Sequence, residues 1–367
     1  MKLTAILQKF KHKQTYKEQV KSAVTLLKKL LSLKITKIFL IVLSVLIVGP
    51  IILFVLLRPT PQKDIEYGTT FSKKYATEIG LDWKQAYLKI LDDLGAKNLR
   101  LIVYWDESEP EPDKYNYDDI KWQLDEAEKR DLHVILSVGQ KVPRYPECFE
   151  PQWWKNLKDK ETKNRELYEF TMNTVIELKK YNSIKIWQIE NEPFFPFGEC
   201  APLDRGPIVE EIKLVRQIDK RPILVQDSGE GGFWLPTYSL GDYLGISMYR
   251  KIWYDFWGVF LGRFIYFQYP LAHWTYKIKA NLVGVPIDRI YVTELQGEPW
   301  GPGLNTKLSK EDKDMTMSKK DFIDTISYAQ NAGFKHYYVW GAEWWLWEKE
   351  HNNEPFYWDT AKALFRK

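Results

Sequence analysis

The sequence predicts an α/β fold, a (β/α)8 barrel of residues 66–367 behind one transmembrane helix, and three observations carry that expectation. Short β-branched and aromatic runs alternate with amphipathic stretches beyond residue 58, the pattern of a parallel sheet covered by helices. Eight such units in about 300 residues suit a closed barrel, and no G-x-G-x-x-G follows the first run, as a doubly wound dinucleotide fold would require. Residues 38–57 form a single 20-residue stretch without a charge, which at about 1.5 Å per residue just crosses a hydrocarbon core of about 30 Å.

The N-terminal segment comes first. Residues 1–58 hold ten Lys and Arg58 against Glu18, a net +10; with the whole chain at +4, residues 59–367 carry −6. The basic balance thus belongs to the tail, and the main domain lacks a nucleic-acid footprint. Lys28, Lys29, Lys34 and Lys37 crowd one end of the apolar run, with only Arg58 and Lys63 near the other. The positive-inside rule then places residues 1–37 in the cytoplasm and the main domain outside the cell membrane. Pro50 lies within the run, where a membrane helix tolerates a kink. No small-residue cleavage site follows in Leu56-Leu57-Arg58-Pro59-Thr60-Pro61, so an uncleaved single-pass signal-anchor is expected. Residues 15–34 mix Lys with Leu and Val, fitting either an amphipathic helix on an anionic leaflet or a solvated basic tail. Residues 58–65 are a short, Pro-stiffened linker.

Strands are expected at 67–71, 98–104, 133–138, 184–189, 222–226, 243–248, 290–294 and 336–340. Helices are expected at 83–94, 120–130, 164–180, 209–218, 271–282, 319–332 and 358–364, with a short fifth crossover at 235–240. In a barrel of this kind the chemistry sits at the C-terminal ends of the strands. Carboxylates stand at two of them: the fourth strand runs into Ile189-Glu190-Asn191-Glu192-Pro193, and the seventh into Val292-Thr293-Glu294-Leu295. Two carboxyls converging over the mouth, one protonated and one ionised, are what glycosidic cleavage by double displacement requires.

The Asn-Glu-Pro at the fourth strand and the Glu closing the seventh resemble clan A glycoside hydrolases, especially the cellulase-like family 5, across residues 66–365. The resemblance implies Glu192 as acid/base and Glu294 as nucleophile, with Asn191 on the sugar 2-hydroxyl. It further implies that Arg100 orients the nucleophile, that Tyr249 stands beside it, and that Trp340 lies under the reacting sugar. The sequence departs from family 5 at Ser247, where a His is common, and at Gly139-Gln140, where the third strand often ends in His.

All 16 Trp lie beyond residue 82, and aromatic rings suit the C–H faces of sugars. Trp300 and Trp340 are expected to touch ligand, Trp344, Trp345 and Trp347 to line the rim with Glu343, and Trp83 and Trp122 to pack in the interior. Glu298 and Glu343 are read either as partners of sugar hydroxyls or as solvated loop residues. Glu190 is expected on the same side as Glu192, one layer deeper, as a structural or proton-relay group, and Asp227 and Glu230 are further candidates for the cleft. Cys148 and Cys200 fall in neighbouring loops and form either a disulfide or two free thiols. The five His form no metal-ligand spacing, so no metal and no cofactor are expected. Residues 252–269 read as an aromatic insertion, either a lid or a segment that dips into the membrane interface. The composite expectation is a monomeric, membrane-anchored retaining hydrolase of β-linked poly- or oligosaccharide. A glycan-remodelling transglycosylase and a non-catalytic glycan-binding barrel are the alternatives.

Overall fold

The computed structural model describes residues 18, 20–29, 34–56, 61–62, 64–254 and 265–366. The chain divides into two compact units, residues 1–58 and 59–367.

In the first unit, residues 20–29 are helical, with Val20, Val24, Leu26 and Leu27 exposed. A second helix spans Lys34–Leu56 and contains Pro50. Its described side chains run from 36 to 52 and are almost all exposed. Among the described residues no helix is long and apolar enough to cross a membrane. The last residues of the expected span, 53–57, have no described side chains.

The second unit is built on eight parallel strands: β1 (Glu66–Thr70), β2 (Asn98–Ile102), β3 (His133–Val138), β4 (Ile184–Ile189), β5 (Ile223–Asp227), β6 (Tyr243–Met248), β9 (Ile290–Gln296) and β10 (His336–Trp340). They close into a barrel in the ring order β1-β10-β9-β6-β5-β4-β3-β2. The remaining two strands, β7 (Lys251–Tyr254) and β8 (Ile265–Gln268), form a separate antiparallel hairpin within the expected aromatic insertion. Residues 255–264 of that insertion, and with them its reading as a lid or membrane contact, lie outside the described residues.

Alternation explains how the barrel is filled. Outward residues such as Leu99, Leu101, Leu136 and Val225 join the core shared with the helices. Ile135, Ile186, Leu224 and Tyr338 form a separate apolar plug within the ring. Two residues beyond Ile186 and Leu224 on their strands, Gln188 and Gln226 meet Arg100 in a polar layer above that plug. The site therefore rests on an apolar floor, in the layered manner of such barrels.

Helix boundaries follow local chemistry. Asp82, Asp159 and Ser309 cap the helices that follow them, and Ser318 with Asp321 makes a full capping box at the start of Lys319–Ala332. The first long helix, expected at 83–94, is helical over Trp83–Lys89 and then widens to a π-turn over Ile90–Leu94, closed by Gly95 at φ 82°.

Candidate active site

A β-bulge positions the first carboxylate. On β6, Ile246 aligns with Val292 of β9, but the next residue, Ser247, aligns with Glu294, leaving Thr293 as the extra residue. Both Thr293 and Glu294 consequently turn into the barrel, where simple alternation would send only one. Glu294 accepts hydrogen bonds from Arg100 Nη1 at 3.0 Å and Gln226 Nε2 at 2.8 Å on one oxygen, and from the Tyr249 hydroxyl at 3.2 Å on the other. Three such donors suit the charged form of a carboxylate and fix its direction.

The second carboxylate sits on strained backbone. β4 ends at Ile189, and Glu190 and Glu192 then adopt φ of 61° and 44°, left-handed values that non-glycine residues seldom take. Hydrogen bonds to the β3 side hold this turn, from Glu190 N to Val138 O and from Asn191 N to Lys141 O. Glu192 accepts one side-chain hydrogen bond, from Ser247 Oγ at 2.8 Å, and is 6% exposed, as is Glu294. Burial pushes its carboxyl well above the usual carboxylate range, reinforced by the nearby charges of Glu147 and Glu294. Ser247 thus bonds to one carboxyl and pairs in register with the residue bearing the other. The position that departs from the family 5 pattern is the one joining the pair.

Arg100 is fully buried beneath both. Its guanidinium donates to Gln188 and Gln226 side chains at 2.8 and 2.6 Å and to Asn191 Oδ1 at 2.5 Å, besides Glu294. Asn191 is consequently occupied on its oxygen, while its Nδ2 donates to Glu147 Oε1 at 3.0 Å. Glu147 is the main residue the sequence reading missed. It is buried with φ 66°, and burial pushes its carboxyl to about 8 against the opposing pull of Lys141, whose Nζ lies 3.2 Å away. Lys141, also fully buried, donates to the backbone oxygens of Glu192 and Phe195 at 2.9 Å each. Neither residue lies in a periodic element, and only the Glu-Cys pair at 147–148 marked the place.

Glu190 corrects the expectation of a second carboxylate one layer deeper in the barrel. Its positive φ breaks strand alternation, and its oxygens accept the backbone N–H groups of Gln140 and Lys141 at 2.8 and 2.7 Å. It interacts there with buried Glu211 of the helix Arg205–Ile218, so it faces the helical layer and has a structural role. Gly139 makes this possible: at φ 142°, a Cβ there would stand 2.5 Å from Glu190 Oε1, which accounts for the missing histidine.

The aromatic expectations divide. Trp300 is half-buried, 5.2 Å from Tyr249 and 5.3 Å from Phe197 between ring centroids, and so flanks the nucleophile candidate. Trp340 is 5% exposed, donates to Glu298 at 2.8 Å, and carries the Arg144 guanidinium over its ring at 4.5 Å. Trp344 and Trp345 are not at a rim: the helix Ala342–His351 turns them into the core, where the Trp345 indole donates to Gly297 O at 2.6 Å. Trp347 packs against that core as well. Glu343 is 1% exposed and bonded to Ser72 N at 2.5 Å, so it is not a solvated loop residue. Asp227 serves its own loop, accepting from Trp234 N and Thr237 Oγ1, whereas Glu230 reaches the end of β6, accepting from Tyr249 N at 2.8 Å, and so braces the residue that bonds Glu294. Cys148 and Cys200 are joined in a disulfide, tying the loop after β3 to the loop after β4 beside Glu147. Among the described residues no cluster of His, Cys, Asp and Glu is arranged to hold a metal.

The buried carboxyls predict a pH dependence of stability. Burial raises Glu190, Glu230 and Glu343 to about 7, from an ordinary value near 4.5. Glu147 rises to about 8 by the same cause. A carboxyl raised on folding keeps its proton longer in the native state, so its stabilisation is complete below about pH 4.5 and is lost as pH climbs through 7 to 8. Asp92 and Asp93 act oppositely, held down by Arg130 and Lys362 respectively, and their contribution is lost only as pH falls below about 4. The melting temperature should therefore peak near pH 5 and fall by several degrees at pH 8.5; a scan showing equal or higher stability at pH 8.5 would contradict these assignments.

Comparison with solved structures agrees with this architecture. The chain superposes on GH5_18 from Bifidobacterium longum subsp. longum with a TM-score of 0.52 at 14% identity, covering 76% of this chain and 70% of that one. Native xylanase 10B from Thermotoga maritima gives 0.53 at 15% identity, covering 83% and 96%. Xylanase 10B from Thermotoga petrophila, solved with xylobiose, gives 0.51 at 16%, covering 76% and 82%. No family model and no curated protein matches the chain. The likeness at this identity is one of fold, a closed barrel of eight parallel strands.

Proposed function

We propose that the chain is a retaining glycoside hydrolase that cleaves β-linked poly- or oligosaccharide, with Glu192 as acid/base and Glu294 as nucleophile. One observation carries this reading: two buried carboxyls at the mouth of the barrel meet opposite environments. Glu294 has an arginine, an amide and a phenol arranged around it, which favour the ionised, attacking form. Glu192 has a single hydroxyl donor and two acidic neighbours, which favour the protonated form needed by a leaving oxygen. Separated protonation states of this kind are the working condition of a double displacement.

In the first step Glu294 Oε attacks the anomeric carbon while Glu192 gives its proton to the departing glycosidic oxygen. Loss of that proton leaves Glu192 as the base for the second step, in which it takes a proton from water and the water oxygen displaces Glu294. Asn191, held by Arg100 and Glu147, presents its remaining amide hydrogen toward the 2-substituent. The buried Ser247 and Tyr249 hydroxyls hold the two carboxyls in place. Structural neighbours of the fold are named as xylanases, and a GH5_18 variant is named in complex with Manβ1-4GlcNAc; a carbohydrate substrate is consistent with both.

The same reading includes a membrane anchor. The 20 uncharged residues at 38–57 and the +10 charge of residues 1–58 support a single span with the N-terminus cytoplasmic and the barrel outside. Full-length chain expressed in cells should stay with membranes after a carbonate wash and, in detergent, release reducing sugar from at least one member of a β-glucan, mannan, xylan, galactan and chitin panel. Recovery in the soluble fraction would remove the anchor from this reading, and no release from any glycan would remove the hydrolase.

A further inference from the structure

Arg144 crosses the barrel mouth. It leaves the loop after β3 at φ 86°, and its guanidinium lies between two rings, 3.6 Å from the centroid of Tyr75 and 4.5 Å from that of Trp340. It pairs with Glu298 in the loop after β9 and reaches Glu343, just beyond β10, at 3.4 Å. Glu343 in turn holds Ser72 N at 2.5 Å beyond β1, and Ser72 Oγ meets the Tyr104 hydroxyl, beyond β2, at 2.6 Å. One arginine thereby ties together the ends of five neighbouring strands, β9, β10, β1, β2 and β3. Its side chain is 11% exposed, that of Glu298 7% and that of Glu343 1%.

Direction along the substrate follows from the acid/base. Glu192 stands at the end of β4 and protonates the leaving oxygen, so the departing part of the chain lies toward β4. In the ring order β10 is four places from β4, directly across the mouth, so the sugar that is transferred lies toward β10 and its neighbours. That is the side Arg144 closes. A cleft that accepted several sugars there would leave these charged groups lining an open groove, whereas they are spent on one another and on two aromatic faces.

We propose that Arg144, with Glu298 and Glu343, forms the end wall of a one-sugar pocket, so that the enzyme removes single residues from the non-reducing end of a β-linked chain. This rests on the hydrolase reading above. Glu298 and Glu343 hold the guanidinium in place, each carboxylate oxygen being taken up by Arg144, Trp340 or Ser72, and a chain continuing past the terminal sugar meets that guanidinium.

The test uses the full-length chain in detergent with β-linked hexaoses of glucose, mannose, xylose, galactose and N-acetylglucosamine, each carrying a fluorophore at its reducing end. The expected product pattern is a labelled ladder that shortens by one sugar at a time, with loss of all cleavage when the non-reducing end is blocked by a 4,6-benzylidene group, or for xylose a 4-methyl ether. Early release of labelled dimers or trimers, or cutting of the blocked hexaose, overturns the pocket while leaving the hydrolase intact. No cleavage of any hexaose removes the hydrolase reading and the pocket with it. Arg144→Ala should gain internal cleavage and begin to cut blocked chains. A variant that keeps its melting temperature and still trims only single residues would show that Arg144 is not the wall. If Arg144→Ala does not fold, the wild-type ladder and the blocked hexaose still decide the matter.

Discussion

Glu294→Gln is expected to lower kcat/KM by at least about 10⁴-fold on every substrate, because a neutral amide cannot attack the anomeric carbon and nothing else in the site replaces it. Gln keeps the size of the side chain and can still accept from Arg100, so folding should survive. Glu192→Ala should behave differently according to the leaving group. With a natural alcohol leaving group, where protonation is needed, the loss should again reach about 10³-fold to 10⁴-fold. With a 2,4-dinitrophenyl leaving group the first step needs no acid, and only the second should be slow, so that added azide restores turnover and yields a β-glycosyl azide. Azide with Glu294→Ala should instead give the α-azide. The pairing of one azide anomer with each variant separates the two roles, and the same anomer from both would contradict the assignment.

Replacement of Arg100 by Met should damage both stability and activity. The guanidinium is fully buried and donates to four side chains, Gln188, Asn191, Gln226 and Glu294. Removal leaves the Glu294 carboxylate buried without its cation and the Gln188 amide oxygen without its donor, for which a loss of about 3–5 kcal/mol is typical. A fall in melting temperature of about 5–10 °C is expected for a domain of this size. Arg100→Lys keeps the charge but not the fork, and should recover stability more than rate. An unchanged melting temperature in Arg100→Met would show that Arg100 does not hold this polar layer together.

The barrel was legible because parallel strands covered on both faces leave continuous apolar runs. The runs at 133–138, 184–189, 243–248 and 336–340 match their strands at both ends. The other four differ by one or two residues, two of them at the C-terminal end alone and two by a one-residue shift at both ends. β9 shows why: its apolar run ends at Glu294, yet the strand continues to Gln296 because the bulge at Thr293 keeps the ladder going. A bulge inserts one residue and leaves no mark in hydrophobic period, so the turn of Glu294 into the barrel was not visible even though the residue itself was.

The convergent groups were harder to find the further they stood from a strand. Glu192, Asn191, Arg100, Tyr249 and Glu294 are found together, joined by the hydrogen bonds of Arg100, Ser247 and Tyr249. Gln188 and Gln226 lie within strands, but a lone amide in an apolar run does not announce which way it faces. Glu147, Lys141 and Arg144 lie in an irregular loop whose shape depends on left-handed residues and on the Cys148–Cys200 bridge, and no local pattern specifies that. The tryptophans after β10 erred in the opposite direction. Four aromatic residues close together suggested a sugar-binding rim, but helical geometry turns Trp344 and Trp345 inward to fill space between helix and barrel.

The most direct measurement is to trap the glycosyl-enzyme. A 2-deoxy-2-fluoro glycosyl fluoride of the sugar found in the hydrolysis panel slows both steps and lets the covalent intermediate accumulate, and peptide mass spectrometry then locates the label. The label should sit on Glu294 alone, at one equivalent per chain, and vanish in Glu294→Gln. A label on Glu192, Glu147 or any other residue, or product formed with inverted anomeric configuration and no adduct, would contradict the account.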